Sequence, residues 1–163
     1  MKQYFKDNWK SILIKILIVV AIITADLLTK VYFSKTTGEI NFIPDFITFE
    51  YVENTGAAYG IFGNSTIFLV IITFIFIIGF IAWDIYNKEK NIWSLLGFSF
   101  IVGGAIGNLV DRLAFGYVRD FIKVNGVKLF GVFNIADAFI TIGCVCYIIY
   151  MVLSFIKERK RKN

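Results

Sequence analysis

The chain has 163 residues, 58% of them hydrophobic, and carries a formal net charge of +5 without a single histidine. That much apolar surface exceeds what a soluble domain of this length can hide, so the composition excludes an ordinary water-soluble fold. The missing imidazole excludes histidine-based triads, histidine metal sites and imidazole proton relays.

The first predicted element covers about 11–32, long enough to cross the hydrocarbon core as a helix. It is interrupted only by Lys15 and Asp26 and is almost wholly aliphatic between Ile12 and Ala25. The apolar run continues through Leu27 and Leu28 with no small-x-small site behind it, so it reads as a span and not as a cleaved leader. Residues 33–65 follow as a connecting segment. Within it Ile47, Phe49 and Tyr51 alternate with Thr48 and Glu50, the period of a half-buried strand. Pro44 stands just ahead, where a strand begins more easily than it continues. Three charge-free stretches, 54–83, 91–110 and 138–156, supply spans at about 66–83, 92–110 and 136–156. Between the last two lies the segment 111–133, in which β-rich runs flank Asn125-Gly126, a strong two-residue hairpin signal. Such a turn sets Lys123 against Lys128, an unfavourable match that screening or another register must relieve. Cys144 and Cys146 point about 200° apart on the last helix and read as packing residues. The expected architecture is one membrane domain of four transmembrane α-helices with a small sheet at the headgroup level.

Charge orients this frame. Lys2, Lys6 and Lys10 precede the first span, Lys88 and Lys90 separate the second and third, and Lys157, Arg159, Lys160, Arg161 and Lys162 follow the fourth. With four spans all three segments share one side, and the positive-inside rule makes that side the cytoplasm. Both termini are then cytoplasmic, and 33–65 and 111–133 are extracytoplasmic. The basic tail reads as an anchor at anionic lipid, not as a nucleic-acid contact.

The polar residues at the span ends carry the functional signal, because a charge within a span is costly and normally marks a working site. On this topology Asp26, Asn108, Asp111, Arg112, Asn134 and Asp137 all fall at the outer ends of spans, with Asn54 and Asp120 in the outer segments. Asn108-x-x-Asp111 and Asn134-x-x-Asp137 each place two polar groups on one helix face. Asn134 also suits a helix cap with Asp137 in the first turn. Asp26 and Asp111 also suit structural pairing with Lys30 or Arg112. Three chemistries fit carboxylates without imidazole: a pair of aspartates sharing a proton in a hydrolase, an oxygen-rich Mg²⁺ phosphotransfer site, or a cation path in a transporter.

Five ordered motifs then carry a resemblance: Asp26-Leu-Leu-Thr-Lys30, Asn54-Thr-Gly-Ala-Ala-Tyr59, Gly107-Asn-Leu-Val-Asp-Arg112, Gly116-Tyr-Val-Arg-Asp-Phe121 and Phe133-Asn-Ile-Ala-Asp137. Together they resemble lipoprotein signal peptidase, the signal peptidase II family of aspartic peptidases, across nearly the whole chain. The resemblance implies a bacterial cytoplasmic-membrane endopeptidase that cleaves diacylglyceryl-modified prolipoproteins on the N-terminal side of the lipidated cysteine. It implies four helices, an extracytoplasmic β-cradle and a short outer helix, expected around 57–62. By motif, the catalytic pair falls on Asp120 and Asp137. Asn54, Asn108, Arg112 and Asn134 fall on substrate-binding or supporting positions, and Asp26 and Asp111 on structural ones. The expected partners are prolipoprotein and membrane lipid, the expected state is a monomer, and no metal or cofactor is implied. Arg119 departs from the pattern, since the family more often has an apolar residue before the catalytic acid.

Overall fold

The computed structural model describes residues 2–56, 65–87, 91–127 and 131–162, with side chains from residue 8 onward. Its elements in chain order are α1 (Lys2–Phe33), β1 (Ile40–Ile43), β2 (Ile47–Asn54), α2 (Thr66–Tyr86), α3 (Ile92–Phe115), β3 (Val118–Val124) and α4 (Ile135–Lys162). All four helices contain a stretch long and apolar enough to cross a bilayer. The short outer helix expected around 57–62 lies outside the described residues.

Composition dictates the arrangement of the helices. α1, α2 and α4 are studded with large aliphatic and aromatic side chains that stay exposed on the protein, as a lipid-facing surface requires. α3 is the least apolar of the four and the most buried, and the other three pack around it. Its small residues let α4 approach closely, as at membrane helix interfaces generally. A Cβ on Gly104 would collide with the carbonyl oxygen of Ala136 and lie 2.7 Å from Cγ1 of Ile140. Gly104→Val is therefore expected to push α4 away and lower stability by about 1–3 kcal/mol, read as a reduced thermal midpoint in detergent. A midpoint equal to that of the unaltered chain would show that the contact is not tight.

α3 starts on a capping box, with Asn91 accepting from Trp93 N and Ser94 accepting from Asn91 N. It runs to Phe115 and stops at Gly116, which takes a left-handed φ of +82°. The third helix thus continues past the expected boundary at 110, so Asp111 and Arg112 lie on helix and not in a loop. This agrees with the shared helix face expected for Asn108 and Asp111, and only the span boundary at 110 was drawn too early, because a charge normally ends an apolar run. Lys15, the charge inside α1, is answered across the bundle by Asp84 of α2, at 2.6 and 2.5 Å to its two oxygens.

The sheet has the order β1-β2-β3, antiparallel throughout. β1 and β2 join through a turn closed by Phe46 N donating to Ile43 O (3.0 Å), with Pro44 at its second position and Asp45 at φ +59° at its third. β1 itself was not foreseen. The simple alternation expected in β2 also fails: Thr48 is buried, donating to Asn41 Oδ1 and accepting from Asn125 Nδ2, and the register slips between Phe49 and Val52.

The tight hairpin at Asn125-Gly126 is corrected. Ile122 exchanges both backbone hydrogen bonds with Phe133 (2.7 and 2.9 Å), four residues beyond its partner in a two-residue turn. Asn125 instead extends the pairing with β2 by donating its N–H to Phe46 O. Lys123 meets Glu50 at 2.6 Å, so the register itself supplies an opposite charge; Lys128 lies outside the described residues. Phe33 at the end of α1 stacks on Phe121 (4.4 Å between centroids) and meets Phe49 at a tilt (4.6 Å), which seats the sheet on the bundle.

Candidate active site

The first turn of α4 builds half of the site. Asp137 N donates to Asn134 Oδ1 (2.9 Å) while Asn134 N donates to Asp137 Oδ2 (3.2 Å), a reciprocal cap with an aspartate in the glutamate's usual place. Capping and function are therefore not alternatives for Asn134. Its Oδ1 starts the helix, and its Nδ2 reaches Asp120 Oδ1 at 2.6 Å and Asn108 Oδ1 at 3.0 Å. One asparagine touches both carboxylates.

The other half comes from the sheet. Asp120 is buried on β3, and Asn54 Nδ2 of β2 donates to its Oδ2 at 2.9 Å. The register slip in β2 makes that contact possible. Phe49 opposes Ile122 and Val52 opposes Asp120, so one extra residue is spent on β2 between them. Without it the period of two would turn Asn54 to the opposite face from Asp120. Gly56 N then donates to Asn54 Oδ1 (3.0 Å), which fixes which end of the amide faces Asp120.

α3 links the two halves. Asn108 Nδ2 donates to Asp137 Oδ1 at 2.7 Å, and its own Oδ1 accepts from Lys30 Nζ at 2.9 Å as well as from Asn134. Lys30 is completely buried and also meets Asp26 Oδ2 at 2.7 Å and Asp111 Oδ2 at 3.4 Å. Asp26 Oδ1 accepts the N–H of Ala136 (2.9 Å), an extra cap on α4 supplied by a neighbouring helix. Asp111 pairs with Arg119, through Nη2 at 2.7 Å, Nε at 3.2 Å and the backbone N–H at 3.0 Å. The expected pairing of Asp111 with Arg112 is thus corrected: Arg112 Nη2 reaches the Gly56 carbonyl at 3.2 Å. Successive residues on a helix diverge by about 100°, so Arg112 cannot share the face of Asp111.

The surroundings of Asp120 favour its protonated form. Burial and, after it, the charge of Asp137 push Asp120 up to about 7, against opposing hydrogen bonds from Asn54 and Asn134 and the charge of Lys30. A carboxyl that holds its proton to near neutrality, beside a second carboxylate, is the arrangement of a proton-sharing pair.

Residues 18–153 match the family model described as Signal peptidase (SPase) II. The chain belongs to the signal peptidase II family. Among similar proteins, the lipoprotein signal peptidase of Clostridium novyi (strain NT) is 38% identical over 142 residues, covering 84% of this chain and 96% of that one. That of Streptococcus pneumoniae (strain ATCC BAA-255 / R6) is 32% identical over 149 residues, covering 90% and 94%. A solved bacterial membrane enzyme, determined by the in meso method, superposes with a TM-score of 0.79 at 32% identity, covering 91% of each chain. A second such structure gives 0.77 at 35% identity, covering 84% and 91%.

Within this signal peptidase II frame, Asn54, Asn108, Asp120, Asn134 and Asp137 meet in one hydrogen-bonded set, while Asp26 and Asp111 are held apart from it by cations. Sequence reasoning missed two contributors. Lys30 was read only as a structural partner for Asp26 or Asp111, both of which it meets, and its contact with Asn108 was not foreseen. Gly56 contributes its backbone alone, which no side-chain pattern reveals.

Proposed function

We propose that this signal peptidase II removes the signal peptide from lipid-modified prolipoproteins, with Asp120 and Asp137 as the catalytic pair. One observation carries the assignment. Asn134 ties together two carboxylates from separate elements, one of them shifted to about 7. Asp137 takes a proton from the attacking water. Asp120, protonated, polarises the scissile carbonyl and later protonates the leaving amine. Asn54, Asn108 and Asn134 hold the four carboxylate oxygens with neutral amide donors and backbone, which orients the pair without forcing both acids to ionise. Arg112, half-buried beside Gly56, engages a substrate carbonyl.

The positive-inside rule supports cytoplasmic termini and a site near the outer face of a bacterial cytoplasmic membrane. The substrate's acyl chains then stay in lipid while its peptide reaches the sheet end of the bundle. Cleavage falls before the lipidated cysteine. We take the active unit to be a monomer.

The purified protein is expected to shift a diacylated prolipoprotein to its mature size on a gel and to leave the unmodified precursor intact. Cleavage of both forms alike, or of neither, would sink the reading. EDTA is expected to leave the rate unchanged: among the described residues no three acids, cysteines or histidines converge as metal ligands, and Asp26 and Asp111 are already committed to cations. A rate abolished by EDTA and restored by Mg²⁺ would favour metal chemistry.

The pH profile follows from the same shift. Above about 7 Asp120 loses the proton it must donate, so cleavage falls as pH rises through that value. The apparent constant belongs to the pair. A rate that keeps climbing from roughly pH 7 to 9 would contradict a proton-sharing pair.

A further inference from the structure

Arg119 is a buried cation on β3. It stands next to Asp120 on β3, but alternation sends its side chain to the opposite face, toward α3. There it forms a forked pair with Asp111 and stacks on the ring of Phe115, 4.6 Å from guanidinium to centroid. Glu53 lies opposite it on β2 and Tyr51 is nearby on the same strand. Behind Asp111 comes Lys30, which touches Asp26, Asp111 and Asn108 at once. Asn108 in turn donates to Asp137. A continuous run of contacts thus connects the Arg119 side chain, on the far face of β3, to Asp137 by way of Asp111, Lys30 and Asn108.

Charge explains what the run does. Asp26, Asp111, Lys30 and Arg119 are all buried, two anions against two cations. Lys30 Nζ donates a hydrogen bond to the Asn108 amide oxygen and stands in ion-pair distance of two carboxylates. The 3.4 Å contact to Asp111 is its longest, because Arg119 already occupies both oxygens of that acid. Without Arg119, Asp111 becomes an uncompensated buried anion and draws Lys30 toward itself, away from Asn108.

We propose that Arg119 is a positioning residue for cleavage: by clamping Asp111 it leaves Lys30 free to hold Asn108, and through Asn108 it sets the orientation and charge environment of the carboxylate pair. This rests on Asp120 and Asp137 being that pair. Of the charged groups, Lys30 from α1 and Arg112 from α3 act on the pair directly, whereas Asp111 from α3, Tyr51 from β2 and Asp26 from α1 act on Arg119, and Glu53 faces it across the sheet.

The test is the pH–rate profile of the purified full chain on a diacylated prolipoprotein, with kcat and KM separated. Arg119→Gln keeps a donor for Asp111 but removes the charge. It is expected to lower kcat about ten- to a hundredfold with little change in KM, and to move the basic limb upward by about half to one pH unit. Asp111→Asn removes the opposite charge and is expected to move the limb downward, and the double variant to bring it back. Arg119→Lys keeps the charge without the fork, so the limb stays while part of kcat is lost. A purely structural role lowers the folded fraction of each variant without moving limbs in opposite directions. One common limb across the series overturns the inference, and the downward move of Asp111→Asn decides it if Arg119→Gln does not purify folded. Asp120→Asn and Asp137→Asn run alongside: if they still cleave, the pair itself is wrongly assigned, whereas if they are dead and the Arg119 series is flat, only the role of Arg119 fails.

Discussion

Asp120→Asn and Asp137→Asn are each expected to reduce cleavage of a diacylated prolipoprotein by about 10³-fold or more, and the double variant to be no worse than either single one. In the proposed mechanism the two acids act on one water and one carbonyl, so removing either ends the shared-proton chemistry and their losses do not add. Stability should move differently. Asp120 binds its proton more tightly in the folded chain than an ordinary aspartate does, titrating near 7 instead of 3.8. Its favourable contribution is therefore complete below the ordinary value and is lost as pH rises through about 7. At roughly pH 8 the folded protein carries a buried, ionised Asp120 beside Asp137, whereas Asp120→Asn does not. The replacement amide has one acceptor oxygen for two amide donors, so the variant is expected to be less stable than the unaltered chain, by a margin that shrinks as pH rises through about 7, while its activity is gone. An inactive variant that had also lost its thermal transition would not support a catalytic assignment. A folded variant cleaving at near the original rate would end it.

The fold was legible where one physical requirement dominates. Crossing lipid demands about 20 apolar residues, and the runs at 66–83 and 138–156 contain no charge, so α2 and α4 follow directly. Where two requirements compete, the reading failed. Asp111 looks like the end of a span because a charge should be in water; the structure instead brings β3 back over the last turns of α3, and Arg119 answers the charge there. Asn125-Gly126 has the turn chemistry of a tight hairpin, but Asn125 is taken up by β2 and β3 meets Phe133 instead. β1 is a short edge strand with all four residues exposed, and it leaves no pattern of burial to find.

The site was legible as a depth and as a list, though not as a geometry. Asn134-x-x-Asp137 announces a helix start, and the reciprocal cap makes that start the device that aims Asp137. Asp120 was reached through motif order, because nothing in strand alternation distinguishes it from Arg119 beside it. The extra residue in β2 could not be read, yet it decides whether Asn54 faces Asp120. A bulge is a property of two strands together, and one strand's sequence does not contain its partner's register.

Lys30→Met supplies the second large effect, and it separates support from chemistry. The side chain is completely buried and answers two buried acids, Asp26 at 2.7 Å and Asp111 at 3.4 Å. Removing one partner of such a group leaves an uncompensated charge and costs about 3–5 kcal/mol. For a chain of this size that corresponds to a fall of roughly 10 °C in thermal midpoint. Cleavage should disappear as well, because Asn108 loses the donor that fixes its Oδ1 and with it the aim of its Nδ2 at Asp137. The companion variant is Lys30→Met with Asp26→Asn. It removes one anion with the cation, leaves Asp111 to Arg119, and keeps an oxygen for the Ala136 N–H. Most of the lost thermal midpoint should return in this double variant while cleavage stays absent, since nothing replaces the donor to Asn108. If activity returned together with stability, Lys30 would be a neutralising charge and no more. If neither returned, the ion pair with Asp26 would not be what Lys30 contributes to the fold.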